Sequence, residues 1–240
     1  MKKIIADLHT HTLASGHAYG TIREMAAAAA EQGLEILGIT EHAPGIPGTV
    51  DPFYYCNLKA VPRVLSGVNI LHGSEINVLS GGKLSLEDKY LSRLDYGIAG
   101  IHCQCYEDEG REANTRNLIE CIRHPRVRFV SHPDDDHTPL DYHQLVPAAK
   151  EYAVALEVNN SSFVKGDLKR LNCTSNMKTM LGLCMDLGVN IIVSSDAHDP
   201  SAVGDFDLAL KFLSDFGFDE SLILNNDKDK ILDFIGFGRG

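Results

Sequence analysis

Seven short apolar runs recur along the 240-residue chain, and amphipathic segments separate them. The runs are Lys3–Leu8, Ile36–Thr40, Val68–Ile76, Tyr96–Ile101, Arg128–Ser131, Val154–Val158 and Asn190–Ser194. Most are rich in Ile, Val and Leu, as expected of parallel strands buried on both faces. The intervening segments predict helices at Thr21–Gln32, Leu58–Ser66, Leu86–Leu94, Arg111–Ile122, Asp141–Tyr152, Thr174–Leu187 and Asp205–Phe216. The alanine run 26–30 has high intrinsic helix propensity, and Gly33 and Gly188 stand where C-caps belong. Ser80-Gly81-Gly82-Lys83 predicts a tight turn, and Asp227–Phe237 a closing helix. Repeated β-α units require parallel strands joined by crossover helices. Seven of them in one domain, residues 1–240, predict an α/β fold: a distorted (β/α)7 barrel, one strand short of the eight-stranded type. An open doubly wound sheet is the rival, but Asp7-Leu8-His9-Thr10-His11 stands where its glycine-rich phosphate loop would be.

Histidine placement carries the functional information. Of 11 histidines, seven lie just after an expected strand or in the next loop: His9, His11, His17, His42, His102, His132 and His198. Glu75 ends the third strand and Asp196 closes the seventh. Strand C-termini of parallel α/β folds open on one face, so these residues are expected to converge there. Asp7, His9 and His11 are spaced i, i+2, i+4, which puts their side chains on one side of a strand. Any one strand-end histidine is more often a hydrogen-bonded structural residue; the joint pattern is what demands a common cause.

The set is rich in nitrogen and oxygen donors and has no thiolate, which suits Zn²⁺, Mn²⁺ or Fe²⁺. Nine ligands exceed one coordination sphere. They fit two or three ions if one carboxylate bridges, and Glu75 is the candidate bridge.

Charge and cysteines narrow the classes. Lys and Arg total 22 against 33 Asp and Glu, a formal charge of −11. That is the wrong sign for a groove that tracks long nucleic acid. No run reaches the roughly 18 apolar residues of a membrane helix. The N-terminus meets Asp7 too early for a signal peptide, so a cytoplasmic location is expected. The six cysteines form no C-x-x-C pair and read as reduced thiols, with Cys103 and Cys105 as small packing residues.

Asp7-Leu8-His9-Thr10-His11-Thr12, Thr40-Glu41-His42, Gly73-Ser74-Glu75, Gly100-Ile101-His102, Ser131-His132-Pro133 and Ser195-Asp196-Ala197-His198 stand in the order of the motifs of the PHP (polymerase and histidinol phosphatase) superfamily. With Glu157-Val158-Asn159-Asn160-Ser161-Ser162-Phe163, the chain resembles that family's small stand-alone bacterial phosphatases. The resemblance implies a distorted (β/α)7 barrel with three divalent metal ions. His9, His11, Glu75 and Asp196 would hold the first. Glu75, His102 and His132 would hold the second, with Glu75 bridging. His17, His42 and His198 would hold the third. Asp7 would orient a ligand imidazole from behind. The catalytic group is then Glu75, Asp196 and Asp7.

The implied reaction is hydrolysis of a small-molecule phosphate monoester. Bridged metals would lower the pKa of a shared water from about 15.7 toward about 7, and the hydroxide would attack phosphorus in line. The third ion would stabilise developing charge. No G-x-S-x-G elbow competes with this reading. Losing Glu75 should cost most, because it would serve two ions. Alternatives are a histidinol-phosphatase-like activity, a nucleotide phosphodiesterase or nuclease, an amidohydrolase, and a non-catalytic metal-binding module. The amidohydrolase lacks the lysine expected at a middle strand end. A homo-oligomer is compatible with the sequence.

Several residues have two readings. Asp134-Asp135-Asp136-His137 reads first as a solvated acidic loop, and otherwise as rim charge that repels highly anionic substrates. Asn159 and Asn160 serve a turn or a phosphate oxygen; Arg111, Arg116 and Lys165 read as surface residues before phosphate ligands. Tyr19 lines the pocket or packs in the core. His72 points away from Glu75, and His124, His137 and His143 read as surface residues.

Overall fold

A computed structural model describes residues 2–238. Seven long-connection strands form one parallel sheet: β1 (Ala6–Thr10), β2 (Ile36–His42), β4 (Val68–Leu79), β6 (Tyr96–Gly100), β7 (Val127–Val130), β8 (Ala155–Asn159) and β9 (Ile191–Ser194). They neighbour one another in that order. At the upper end of β1, Thr10 bridges Ala197, just past β9, in parallel, and His11 N–H donates to the Ala197 carbonyl at 2.8 Å. The sheet therefore nearly closes into a (β/α)7 barrel, and the open doubly wound alternative is excluded. Two short strands, β3 (Val64–Leu65) and β5 (Lys83–Leu84), pair antiparallel with the two ends of β4.

The outer ring comprises α1 (Ile22–Glu31), α2 (Asp88–Leu91), α3 (Arg111–Ile122), α4 (Tyr142–Glu151), α5 (Asn160–Lys165), α6 (Cys173–Leu187) and α7 (Asp207–Phe216). Their apolar faces cover the outward residues of the strands in one continuous core that includes Leu37, Ile39, Val130, Leu156 and Val193. The inward residues form a second core: Leu8, Ile36, Leu71, Tyr96, Ile98, Phe129 and Ile192. The last helix, α8 (Lys228–Ile235), plugs its lower end with Ile231 and Ile235. Alternation along each strand thus gives an apolar plug below and leaves the upper ends free for polar side chains.

Two local expectations fail. The helix expected at Leu58–Ser66 is instead a 3-10 segment over Pro52–Ala60, followed by β3. Pro62 disfavours a helical Val61, which is extended (φ −84°, ψ 126°). Ser66 and Gly67 then take φ of +51° and +82° and turn the chain back into β4. The helix expected at Leu86–Leu94 shrinks to the four residues of α2. In the Asn159–Ser162 stretch, read as a turn or cap, Asn159 ends β8 and stands at the N-cap position of the short helix α5.

Candidate metal centre

The barrel mouth brings together all nine expected ligand side chains. His9 and His11 come from the end of β1, His42 from β2, Glu75 from β4 and His102 from just past β6. His132 and Asp196 follow β7 and β9, and His198 and the exposed His17 stand at the rim. Parallel register sets His42 beside Glu75 on adjacent strands. Glu75 is the hub. Its Oε1 lies 3.1 Å from His102 Nε2 and 3.0 Å from His132 Nε2. Its Oε2 lies 3.3 Å from His9 Nε2, 3.5 Å from His11 Nε2 and 3.0 Å from His42 Nδ1. Asp196 Oδ1 faces His11 Nε2 at 3.4 Å and His9 Nε2 at 3.7 Å. Gly100 leaves room for this: a Cβ there would stand 3.0 Å from Glu75 Oε1 and 2.8 Å from His102 Cε1.

The far ring nitrogens are already spoken for. His9 Nδ1–H donates to Glu157 Oε1 at 2.7 Å. Ser15 gives its proton to Glu41 Oε2, so its oxygen accepts from His11 Nδ1–H at 2.9 Å. Asn77 donates to Ala43 and Pro44 carbonyls, which leaves its Oδ1 to accept from His102 Nδ1–H at 2.8 Å. His198 Nδ1–H donates to the Asp196 carbonyl at 2.9 Å. In its neutral form each ring therefore offers an Nε2 lone pair to the centre. His9 and His11 aim theirs at each other across 3.0 Å, and His198 and His17 bring their Nε2 atoms within 3.2 Å. Such pairs repel unless a proton or a metal ion lies between them.

Buried atoms point to the same conclusion. Glu75 Oε2 and His42 Nδ1 are buried with no hydrogen-bond partner among the described residues. Burial would raise the Glu75 pKa, but His102, His9 and His42 outweigh it and hold it well below the usual carboxylate range. Asp196 is lowered likewise by His9 and His11 against burial. Burial, then His42, pushes His11 well below the ordinary histidine value; burial also lowers His102. Ionised carboxylates and neutral imidazoles are the forms that bind a metal. The donor set fits divalent metals: His9, His11 and Asp196 offer atoms within 4.8 Å of one another. So do His42, Glu75 and His102, and so do His11, His42 and His198. The first grouping lies within one set that the resemblance implies; the other two cut across the sets, because His42 borders Glu75 and His11 as well as the rim histidines.

Some residues differ from expectation. Among the described residues, the Asp7 carboxylate makes no hydrogen bond to a ligand ring. It accepts from Ser195 Oγ, Ser195 N–H and Gly204 N–H, and so ties β1 to the turn that carries Asp196. That turn is strained: Asp196 has φ of +56°, as His132 has +28°. The orienting role belongs to Glu157, whose Oε2 also accepts His132 N–H at 2.6 Å. A carboxylate inside an apolar strand was the available signal for it. Asn159 donates to Glu157 Oε2 and Asp196 Oδ2, while Asn160 accepts from Ala209 N–H beneath α7. Lys165 reaches over the centre, its Nζ 4.0 Å from Asp196 Oδ2. The acidic loop is not simply solvated, since Asp134 is buried beside Arg170. Cys103 is exposed and Cys105 half-buried, so Cys103 is no packing residue. Tyr19 is 75% exposed and outside the core.

A parallel barrel with imidazoles and carboxylates gathered at its C-terminal mouth defines the class of metal-dependent hydrolase barrels. The chain belongs to the PHP domain family, whose model matches residues 7–161, more than half its length. It is 39% identical over 235 residues to a probable phosphatase of Caldanaerobacter subterraneus subsp. tengcongensis, covering 97% of this chain and 91% of that protein. It is 40% identical to a probable phosphatase of a Thermoanaerobacter species, covering 97% and 95%. Its fold is similar to histidinol phosphate phosphatase from Lactococcus lactis subsp. lactis, solved with zinc, L-histidinol and phosphate. That match has a TM-score of 0.58 at 17% identity and covers 90% of this chain and 95% of the other. Among the described residues, no helix is long and apolar enough to cross a membrane.

Proposed function

We propose that the protein is a phosphatase that hydrolyses a small-molecule phosphate monoester with three divalent metal ions, zinc by preference and manganese or iron(II) as alternatives. One observation carries the metal part: the Nε2 atoms of His9 and His11 face each other at 3.0 Å between two carboxylates. Names given to relatives near 40% identity support the ester class. In this reading His9, His11, Glu75 and Asp196 hold one ion, and Glu75, His102 and His132 the second. His17, His42 and His198 hold the third. When bound, the ions supply Lewis acidity that acidifies water and draws charge from phosphoryl oxygens.

The chain's own residues do the rest. Glu157, Asn77 and the Ser15–Glu41 pair fix the tautomers and directions of His9, His102 and His11, so the donors need no rearrangement. Asn159 steadies Asp196 through a 3.3 Å hydrogen bond. The Lys165 ammonium, 42% exposed above Asp196, is placed to meet a phosphate oxygen. The net charge of −11 disfavours long nucleic acid as substrate.

Metal content measured beside hydrolysis of p-nitrophenyl phosphate and of its bis ester tests the reading. About three ions per chain are expected, with monoester turnover abolished by chelation and in Glu75→Ala. Full metal content without turnover of either ester would leave a metal-binding module instead.

A further inference from the structure

A cavity of about 450 Å³ adjoins the metal centre, with His102 and His132 in its wall. Its volume falls in the range of small-molecule sites. Ile101, Leu118, Val130 and Leu140 supply apolar wall. Lys169 and Arg170 supply positive charge.

Two loops build the polar wall and are laced together. Asp135 Oδ1 accepts the backbone N–H of Leu171 at 3.0 Å and that of His137 at 3.1 Å, and pairs with His137 Nδ1 at 2.7 Å. Asn176 donates to the Asp134 carbonyl and to Asp136 Oδ1. Asn172 donates to Asp136 Oδ2. Arg170 is anchored at both ends of its own peptide, by Gly166 O and Cys173 N. Its position is thus set before any ligand arrives.

Its guanidinium is underused. The side chain is only 13% exposed, yet among the described residues its one ionic partner is Asp134 Oδ1, at 3.7 Å. A planar fork with spare N–H donors, held in the wall of a largely apolar cavity, matches a carboxylate. A second phosphate fits less well, because Asp135 in the same wall would repel a dianion more than a monoanion.

We propose that this cavity takes the alcohol part of the substrate, an apolar and preferably aromatic body bearing a carboxylate, and that Arg170 selects for that carboxylate. The proposal rests on the phosphatase reading for its reaction but not for its binding step. The test compares phenyl phosphate with 4-carboxyphenyl phosphate as substrates. It also compares phenylphosphonate with 4-carboxyphenylphosphonate as non-hydrolysable ligands in calorimetry. The metal-loaded wild type should show a KM and a Kd about tenfold lower for the carboxylated member of each pair, the low end of a charge-assisted bidentate contact. Arg170→Gln should bring both ratios close to one, and Arg170→Lys should keep part of each.

Equal values for the pair in the wild type would overturn the proposal. So would a preference that survives Arg170→Gln. Turnover of neither ester with an Arg170-dependent phosphonate preference would sink the phosphatase reading and leave the carboxylate pocket standing.

Discussion

Glu157 and His9 meet across 148 residues of sequence in a 2.7 Å hydrogen bond wholly buried in the barrel mouth. The same carboxylate receives the backbone N–H of His132, so one side chain positions two ligand segments. Glu157→Gln should keep the fold but lower metal affinity about 10- to 100-fold, as expected when a group that orients a ligand histidine is weakened. Competition against a chromogenic chelator measures it. Unchanged affinity would remove Glu157 from the centre.

Metal uptake should fall with acid. Burial alone would lower the His9 pKa, but Glu157, Glu75 and Asp196 raise it well above the ordinary histidine value. The metal-free protein therefore holds a proton on His9 to higher pH than a free imidazole would, and an incoming ion must expel it. Apparent affinity should rise about tenfold per pH unit until the folded pKa is passed. Calorimetry in buffers of different ionisation enthalpy should find about one proton released for the ion that displaces it. Buffer-independent heats would contradict this.

His72 lends the fold a separate acid sensitivity. It is buried, neither ring nitrogen has a hydrogen-bond partner among the described residues, and burial followed by the Arg63 charge lowers its pKa to about 4. The unfolded chain takes up that proton below about 6.5, while the native state resists it. Stability from this group is thus complete above 6.5 and drains away as pH falls toward 4, by about 2.5 kcal/mol near pH 4.5. Asp7, raised to about 6 by burial against its hydrogen bonds, acts with opposite sign: its native form favours the proton, so its contribution shrinks as pH rises from about 4 to 6. Comparing wild type with His72→Leu cancels the Asp7 effect. Urea unfolding near pH 7 and near pH 4.5 should show the smaller acid loss in the variant; equal losses would refute the assignment.

Gly38 and Tyr96 lock the barrel interior. Tyr96 donates its hydroxyl to the Leu8 carbonyl at 2.7 Å, and a Cβ at Gly38 would fall 1.9 Å from that oxygen. Gly38→Ala should cost about 1–3 kcal/mol through overpacking. Adding Tyr96→Phe should recover part of it, giving a favourable coupling in a double-mutant cycle. Strict additivity of the two unfolding free energies would argue against the clash.

Much of this architecture was legible in the residue order. The apolar runs at Ile36, Val68 and Ile191 locate strands to within a few residues, because a strand buried on both faces has no other composition open to it. Arg111–Ile122 is helical over the expected span. Histidines at strand ends announced a shared site because parallel strands end on one face. Local turns were harder: Pro62 and the positive φ at Ser66 replaced a helix by a hairpin near β3.

The sequence by itself determined the repeating β-α order, the face on which the ligand residues emerge and the donor chemistry that they offer. Tertiary closure decided which partner each polar side chain found. Asp7 meets Ser195 across 188 residues, Glu157 meets His9 across 148, and Asp134 lies buried beside Arg170. Periodicity records only which way a side chain leaves its own strand. The partner it meets depends on register, on where the barrel closes and on how two distant loops lace together, and those are properties of the packed whole.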